Sequence, residues 1–90
     1  VVICPADNFK HAIELANATK FGLQIGIYTN NLSHFKLAKK EAHYGGIIFN
    51  GIPGLRMDHL PYGGIKDSGL GREGVRYAMN EMTEPKVIIF

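Results

Sequence analysis

Between Gly63 and Gly74 the chain reads GGIKDSGLGREG, with Lys66, Asp67, Ser68, Arg72 and Glu73 set among five glycines. Three chemistries fit such a stretch: a phosphate cradle, a hinge, or the floor of an active site. Gly69-Leu70-Gly71-Arg72-Glu73-Gly74 matches G-x-G-x-x-G. A dinucleotide fingerprint sits between a strand and a helix, with an acid about 20 residues further on. Here Lys66-Asp67-Ser68 precedes the glycines, and the acid would fall beyond Phe90. Gly64 to Gly69 has Walker A spacing, but Leu70 stands where that loop needs lysine. The glycines therefore read as a backbone that turns through positive φ and packs closely.

Other reactive side chains are few. Cys4, the one cysteine, lies in the apolar run VVICP. A reactive thiol needs a helix N-terminus or a nearby cation, so Cys4 reads as buried and inert. His11, His34, His43 and His59 are too far apart for a paired metal site, and no metal ligand set is expected. His11 and His34 fall on helices, His43 at a helix end, and His59 in a long loop. Lys36, Lys39 and Lys40 read as a solvated helix face.

The elements that must position these residues follow from 90 residues, 46% of them hydrophobic, with net charge +2. That is one domain at most, able to hide ~60–70% of its unfolded surface. The charge is too small to imply a nucleic-acid surface, and no apolar run approaches the ~20 residues of a membrane span. A single cysteine fits a reducing, cytoplasmic setting. The abrupt apolar ends, VVICP and KVIIF, read as a fragment of a longer protein.

Val1–Cys4 reads as a buried strand stopped by Pro5. Asp7 is positioned to cap a helix over 8–18, with Phe9, Ala12, Ile13 and Ala16 on one face. Gly22 ends it. Leu23 to Thr29 reads as a strand. Asn30 or Asn31 caps a second helix to about Ala42, with Leu32, Phe35 and Ala38 or Lys39 at helical spacing, ended by Gly45-Gly46. Ile47 to Asn50 is a third strand. Residues 51–70 show no periodicity, and loops of that length are usually functional or disordered. Arg72 to Met82 reads as a third helix, with Glu73 in its first turn complementing the dipole. Pro85 breaks it before a last strand, Lys86–Phe90. The order β-α-β-α-β, long loop, α-β argues for an α/β fold whose first three strands are parallel.

PYGGIKDSGLGREG, from Pro61, resembles the C-terminal signature of the aldehyde dehydrogenase superfamily. AIELANATKFGLQIGIYTNN resembles that family's A-N-x-T-x-Y/F-G-L stretch and following strand. GGIIFN resembles its G-x-V-x-x-N strand, and EMTEPKVIIF its closing E-x-T-E-x-K segment. The motifs fall in the family's order over essentially the whole chain. RMDHLPYGG further resembles the branch holding lactaldehyde and non-phosphorylating glyceraldehyde-phosphate dehydrogenases.

The resemblance implies part of an enzyme that oxidises an aldehyde to a carboxylic acid with NAD or NADP. The family's nucleophilic cysteine and base glutamate lie outside the matched region. No catalytic residue is therefore expected here, and no cofactor bound to these 90 residues alone. Residues 1–85 would belong to the catalytic domain. Residues 86–90 would be an oligomerisation strand joining a neighbouring subunit, making the parent a homo-oligomer. Gly51 to Leu60 would be a substrate loop, with Pro61 and Tyr62 near the reacting centre. Arg56, His59 and Tyr62 are the substrate-loop candidates. Arg56 either clamps a polar or anionic substrate end through its planar fork or is an exposed or internally paired arginine. Asn50, Pro61, Gly63, Gly64, Lys66, Ser68, Gly69, Gly71, Arg72 and Glu73 match signature positions and read as architectural, with Arg72 pairing with Glu73 or another carboxylate. The alternatives are a stand-alone α/β nucleotide- or protein-binding module and an assembly element that works by strand pairing.

Overall fold

The computed structural model describes residues 1–90 as a mixed α/β arrangement. Helix α1 spans Phe9–Asn17, strand β1 Phe21–Gly22 and strand β2 Gln24–Ile27. Helix α2 (Leu32–Glu41) leads to strand β3 (Gly46–Phe49). A long loop then contains strand β4 (Ile65–Lys66), and helix α3 (Val75–Met82) follows.

A small core joins the two helices and the β2–β3 pair. Ile13, Ile27 and Ala38 are buried, with Phe9, Ile25, Ala42, Ile47 and Phe49 packed around them. On α1 the buried side follows the apolar spacing of the sequence. On α2 it is shifted: His34, Leu37 and Ala38 turn inward, whereas Leu32 is exposed. The His34 ring stacks on Phe9, centroids 4.1 Å apart, and its Nδ1 lies 3.0 Å from the Thr29 hydroxyl. Asn31 caps α2 by accepting from the Ser33 N–H at 2.8 Å. Asn8, not Asp7, caps α1, its Oδ1 accepting from the His11 N–H at 3.0 Å. Asp7 lies instead beside the His11 ring, Oδ2 to Nδ1 3.3 Å.

Strands β2 and β3 pair in parallel, Gln24 opposite Gly46 through Ile27 opposite Phe49. Asn50 extends this ladder with its side chain. It sits at φ 53, a left-handed conformation that asparagine tolerates well. Its Oδ1 accepts from the Thr29 N–H at 2.9 Å, and its Nδ2 donates to the Thr29 carbonyl at 3.1 Å. The second pair, β1 with β4, is antiparallel. Gly22 belongs to β1 and does not merely end α1. A Cβ there would meet Ile65 Cγ1 at 2.8 Å and the His43 carbonyl at 2.9 Å.

Both terminal strands of the sequence reading are unformed in the single chain. Val1–Cys4 and Lys86–Phe90 lie outside every ladder and are exposed, Cys4 included. A strand requires a partner for its N–H and C=O groups, and neither segment has one here. The three-strand parallel unit is thus reduced to the β2–β3 pair. Helix α3 starts at Val75, three residues later than the pattern suggested, because Gly74 at φ 116 turns the chain just before it. Val75, Met79 and Met82 on α3 are exposed. The radius of gyration, 16.6 Å, exceeds the ~12 Å expected of a compact chain this long. No helix is long and apolar enough to cross a membrane.

Candidate functional site

The loop after β3 folds back along β2 and encloses a cleft of about 170 Å³ lined by Gln24, Ile47, Leu55, Arg56, Pro61 and Tyr62. Gln24 closes one side, its Nε2 donating to the Leu55 carbonyl at 3.0 Å. Tyr62 is held by a two-way backbone exchange with Glu73. The Tyr62 N–H donates to the Glu73 carbonyl at 3.1 Å, and the Glu73 N–H returns to Tyr62 at 2.6 Å. The Arg56 guanidinium lies 4.9 Å from the centre of the Tyr62 ring, within cation–π range. Its Nη2 is 3.0 Å from Glu73 Oε2.

Of the two readings of Arg56, the internally paired one describes its geometry in this chain. Both partners are more than half exposed, 52% and 65%. Exposed pairs of this kind are worth roughly 0–1 kcal/mol, so Glu73 is a weak and exchangeable partner. Glu73 itself lies outside α3 and does not occupy a first helical turn. Arg72 pairs with no carboxylate through its guanidinium. Nη1 donates to the carbonyls of Gly64, at 3.0 Å, and Gly71, at 2.7 Å. His59 does not line the cleft of Arg56 and Tyr62 but a second depression, beside Asp58 and against Val75, Tyr77 and Met79 of α3.

The glycines are accounted for by close backbone approach and by turning. A Cβ on Gly45 would overlap the Gly63 carbonyl, and one on Gly64 would overlap Ser68. Gly63 faces the Gly71 carbonyl, 2.7 Å from where its Cβ would lie. Gly69, Gly71 and Gly74 all have positive φ, at 149, 69 and 116. Ser68 fastens the turn, its Oγ accepting from the Gly22 N–H at 2.8 Å. Lys66, at φ 55, sends its ammonium to the Asn17 and Thr19 carbonyls, both at 3.1 Å. Asn50 stays with the β2–β3 ladder, away from the cleft.

Two participants escaped the sequence reading. Gln24 hides inside a strand pattern that gives no hint of a side-chain contact 31 residues away. Asn17 bridges α1 to the end of α2. Its Nδ2 donates to the Glu41 carbonyl at 2.7 Å, and its Oδ1 accepts from the His43 N–H at 2.9 Å. Its place in the A-N-x-T pattern was the available signal.

A family model described as the aldehyde dehydrogenase family matches residues 1–88. The lactaldehyde dehydrogenase of Methanococcus vannielii is 46% identical over 87 residues, which is 97% of this chain and 19% of that protein. The crystal structure of aldehyde dehydrogenase 21 from Physcomitrella patens, in complex with the reaction product succinate, superposes with a TM-score of 0.86 at 48% identity. The match covers 92% of this chain and 17% of that one. The glyceraldehyde-3-phosphate dehydrogenase GapN of Methanocaldococcus jannaschii, complexed with NADP, superposes with a TM-score of 0.78 at 42% identity, over 81% of this chain and 16% of that one. The chain thus spans about a fifth of the length of the curated relatives it matches. With its parallel β2–β3 unit, its glycine-packed loop and a family match over residues 1–88, this chain belongs to the aldehyde dehydrogenase family.

Proposed function

We propose that this chain forms a wall of the substrate site in an NAD(P)-dependent aldehyde dehydrogenase, which oxidises a small aldehyde with a polar or anionic far end to the carboxylic acid. The observation that carries this reading is the Arg56 guanidinium, stacked beside Tyr62 at the cleft and held only by an exposed carboxylate. A substrate carboxylate, phosphate or hydroxyl can exchange with Glu73 at little cost. The named chemistry of similar proteins supports this, since one is a lactaldehyde dehydrogenase, one carries succinate and one is a glyceraldehyde-3-phosphate dehydrogenase.

The cofactor is assigned to parts of the enzyme outside these residues. The G-x-G-x-x-G turn follows a turn and not a strand. The Glu81 carboxylate lies 2.9 Å from where a Cβ of Gly71 would be, and would repel a pyrophosphate there. NADP in the GapN structure supports a nicotinamide cofactor for the whole enzyme. Nucleophile and base likewise come from elsewhere, and Cys4, exposed in an unpaired segment, serves neither role. His59 is retained as a second substrate-loop candidate. We assign residues 86–90 to a subunit contact, because Val87, Ile88, Ile89 and Phe90 are exposed apolar residues suited to strand addition. The cytoplasm is the proposed compartment.

The test compares the full-length enzyme carrying this segment with the 90-residue chain. The full-length enzyme is expected to reduce NAD or NADP with short anionic or hydroxylated aldehydes, and the 90-residue chain to show nothing above background. Failure of the full-length enzyme on every such aldehyde would overturn the substrate class. Shortening that enzyme to end at Pro85 should lower its sedimenting mass, and an unchanged mass would rule out the proposed contact.

A further inference from the structure

Helix α1 has no basic residue in its last turn, yet its final carbonyls all find donors. The last four carbonyls of a helix have no intrahelical partner, and the accumulated dipole there favours a cation. The Ala18 N–H serves the Glu14 and Leu15 carbonyls at 3.1 and 3.2 Å. The Tyr44 hydroxyl serves Ala16 at 2.6 Å. The Asn17 carbonyl receives the Lys66 ammonium, which also reaches Thr19, both at 3.1 Å. The missing cation thus comes from a residue 49 positions away. The same ammonium lies 5.6 Å from the centre of the Tyr44 ring.

Lys66 reaches this position in a left-handed backbone conformation, φ 55, which a lysine adopts only when its surroundings hold it there. Its neighbours are fastened to the same body. The Asp67 N–H donates to the Lys20 carbonyl at 2.9 Å, and Ser68 Oγ accepts from Gly22. Tyr62 stands four residues before Lys66, joined through Gly63, Gly64 and Ile65, and the two glycines pack so closely that a Cβ on either would strike Gly71, Arg72 or Ser68.

We propose that Lys66 is a positioning residue for the substrate wall. Its ammonium, seated on the Asn17 carbonyl at the end of α1 and on the Thr19 carbonyl just beyond it, fixes where β4 lies, and through the link from Gly63 to Ile65 fixes Tyr62 and the Arg56 guanidinium over its ring. This rests on the reading of Arg56 and Tyr62 as substrate-facing, but the positioning step can be measured without turnover.

The test uses the full-length enzyme with Lys66→Ala, Lys66→Arg and Lys66→Gly. Lys66→Ala is expected to raise KM for an anionic aldehyde about tenfold, in keeping with the loss of charge-assisted hydrogen bonds, and to speed amide exchange at Tyr62 and Glu73. n-Propylammonium should lower that KM again, whereas tetramethylammonium, a cation without N–H donors, should not. Lys66→Arg should hold both readouts near wild type. Lys66→Gly, which relaxes the backbone but lacks the ammonium, should behave like the alanine variant. A lowered melting temperature with unchanged KM and unchanged exchange at Tyr62 and Glu73 would make Lys66 merely structural and overturn the proposal. Equal recovery with the two cations would overturn the hydrogen-bonded role. A wild-type enzyme inactive on every aldehyde would instead sink the functional reading, while amide exchange still decided the role of Lys66.

Discussion

Gly45→Ala is expected to destabilise the full-length enzyme by about 3 kcal/mol, at the upper end of the cost of overpacking a filled site, and to cut kcat/KM. Gly45 lies at the N-terminal edge of β3, its N–H donating to the Gly22 carbonyl at 3.0 Å. An added Cβ would overlap the Gly63 carbonyl oxygen, with the carbonyl carbon 2.8 Å and Gly64 Cα 3.1 Å away. All three are backbone atoms, so no flexible side chain can swing aside. The strain must move either β3, which is tied into the core, or Gly63, which adjoins Tyr62. Thermal unfolding and steady-state kinetics read the two responses. Gly54→Ala is the control, because the nearest atom there is Ile52 Cδ1 at 4.0 Å. If the two variants behave alike, the close approach of Gly45 to Gly63 is not a constraint in the enzyme.

Arg56→Ala is expected to lower kcat/KM for a phosphorylated or carboxylated aldehyde by roughly tenfold to a hundredfold, the equivalent of ~1.5–3 kcal/mol for a hydrogen bond to a charged group. An uncharged alkyl aldehyde should lose far less. The asymmetry follows from the site. The guanidinium sits over Tyr62, and the Glu73 carboxylate that neutralises it is exposed and easily displaced. Arg56→Lys should recover only part of the loss, since an ammonium cannot offer the planar two-point fork. Equal losses on charged and uncharged aldehydes would show that Arg56 supports the loop and does not read the substrate.

The two helices and the β2–β3 pair were legible because their information is local. Ile13 announces a buried position by spacing, the second helix left Ala38 or Lys39 open, and Asn30 or Asn31 announces its start. The shift of α2 toward His34 was hidden because its ring, polar in the sequence, stacks on Phe9 as an apolar surface would. Strand β4 was invisible for another reason. Two residues carry no period, and Ile65–Lys66 is a strand only because Phe21–Gly22 lies opposite. Val1–Cys4 and Lys86–Phe90 have the apolar composition of strands but find no pairing edge within this single chain. In the site, the glycine cluster announced the close backbone packing. That Glu73 would reach Arg56, and that Lys66 would cap a helix 49 residues earlier, depends on tertiary placement that no local pattern encodes.

The fastening of β4 to α1 and β1 has an entropic consequence. Its side-chain bonds join residues 46, 47 and 49 positions apart. Drawing such a loop closed costs about 2 kcal/mol more chain entropy than closing a four-residue turn. One ordinary hydrogen bond returns only about 1 kcal/mol net. The Ser68 bond alone therefore cannot keep the loop shut, whereas the charge-assisted bonds of Lys66, each about 1.5–3 kcal/mol, roughly offset that cost. The closure of this loop thus depends most on Lys66, with Ser68 adding to a contact whose chain entropy the lysine already offsets.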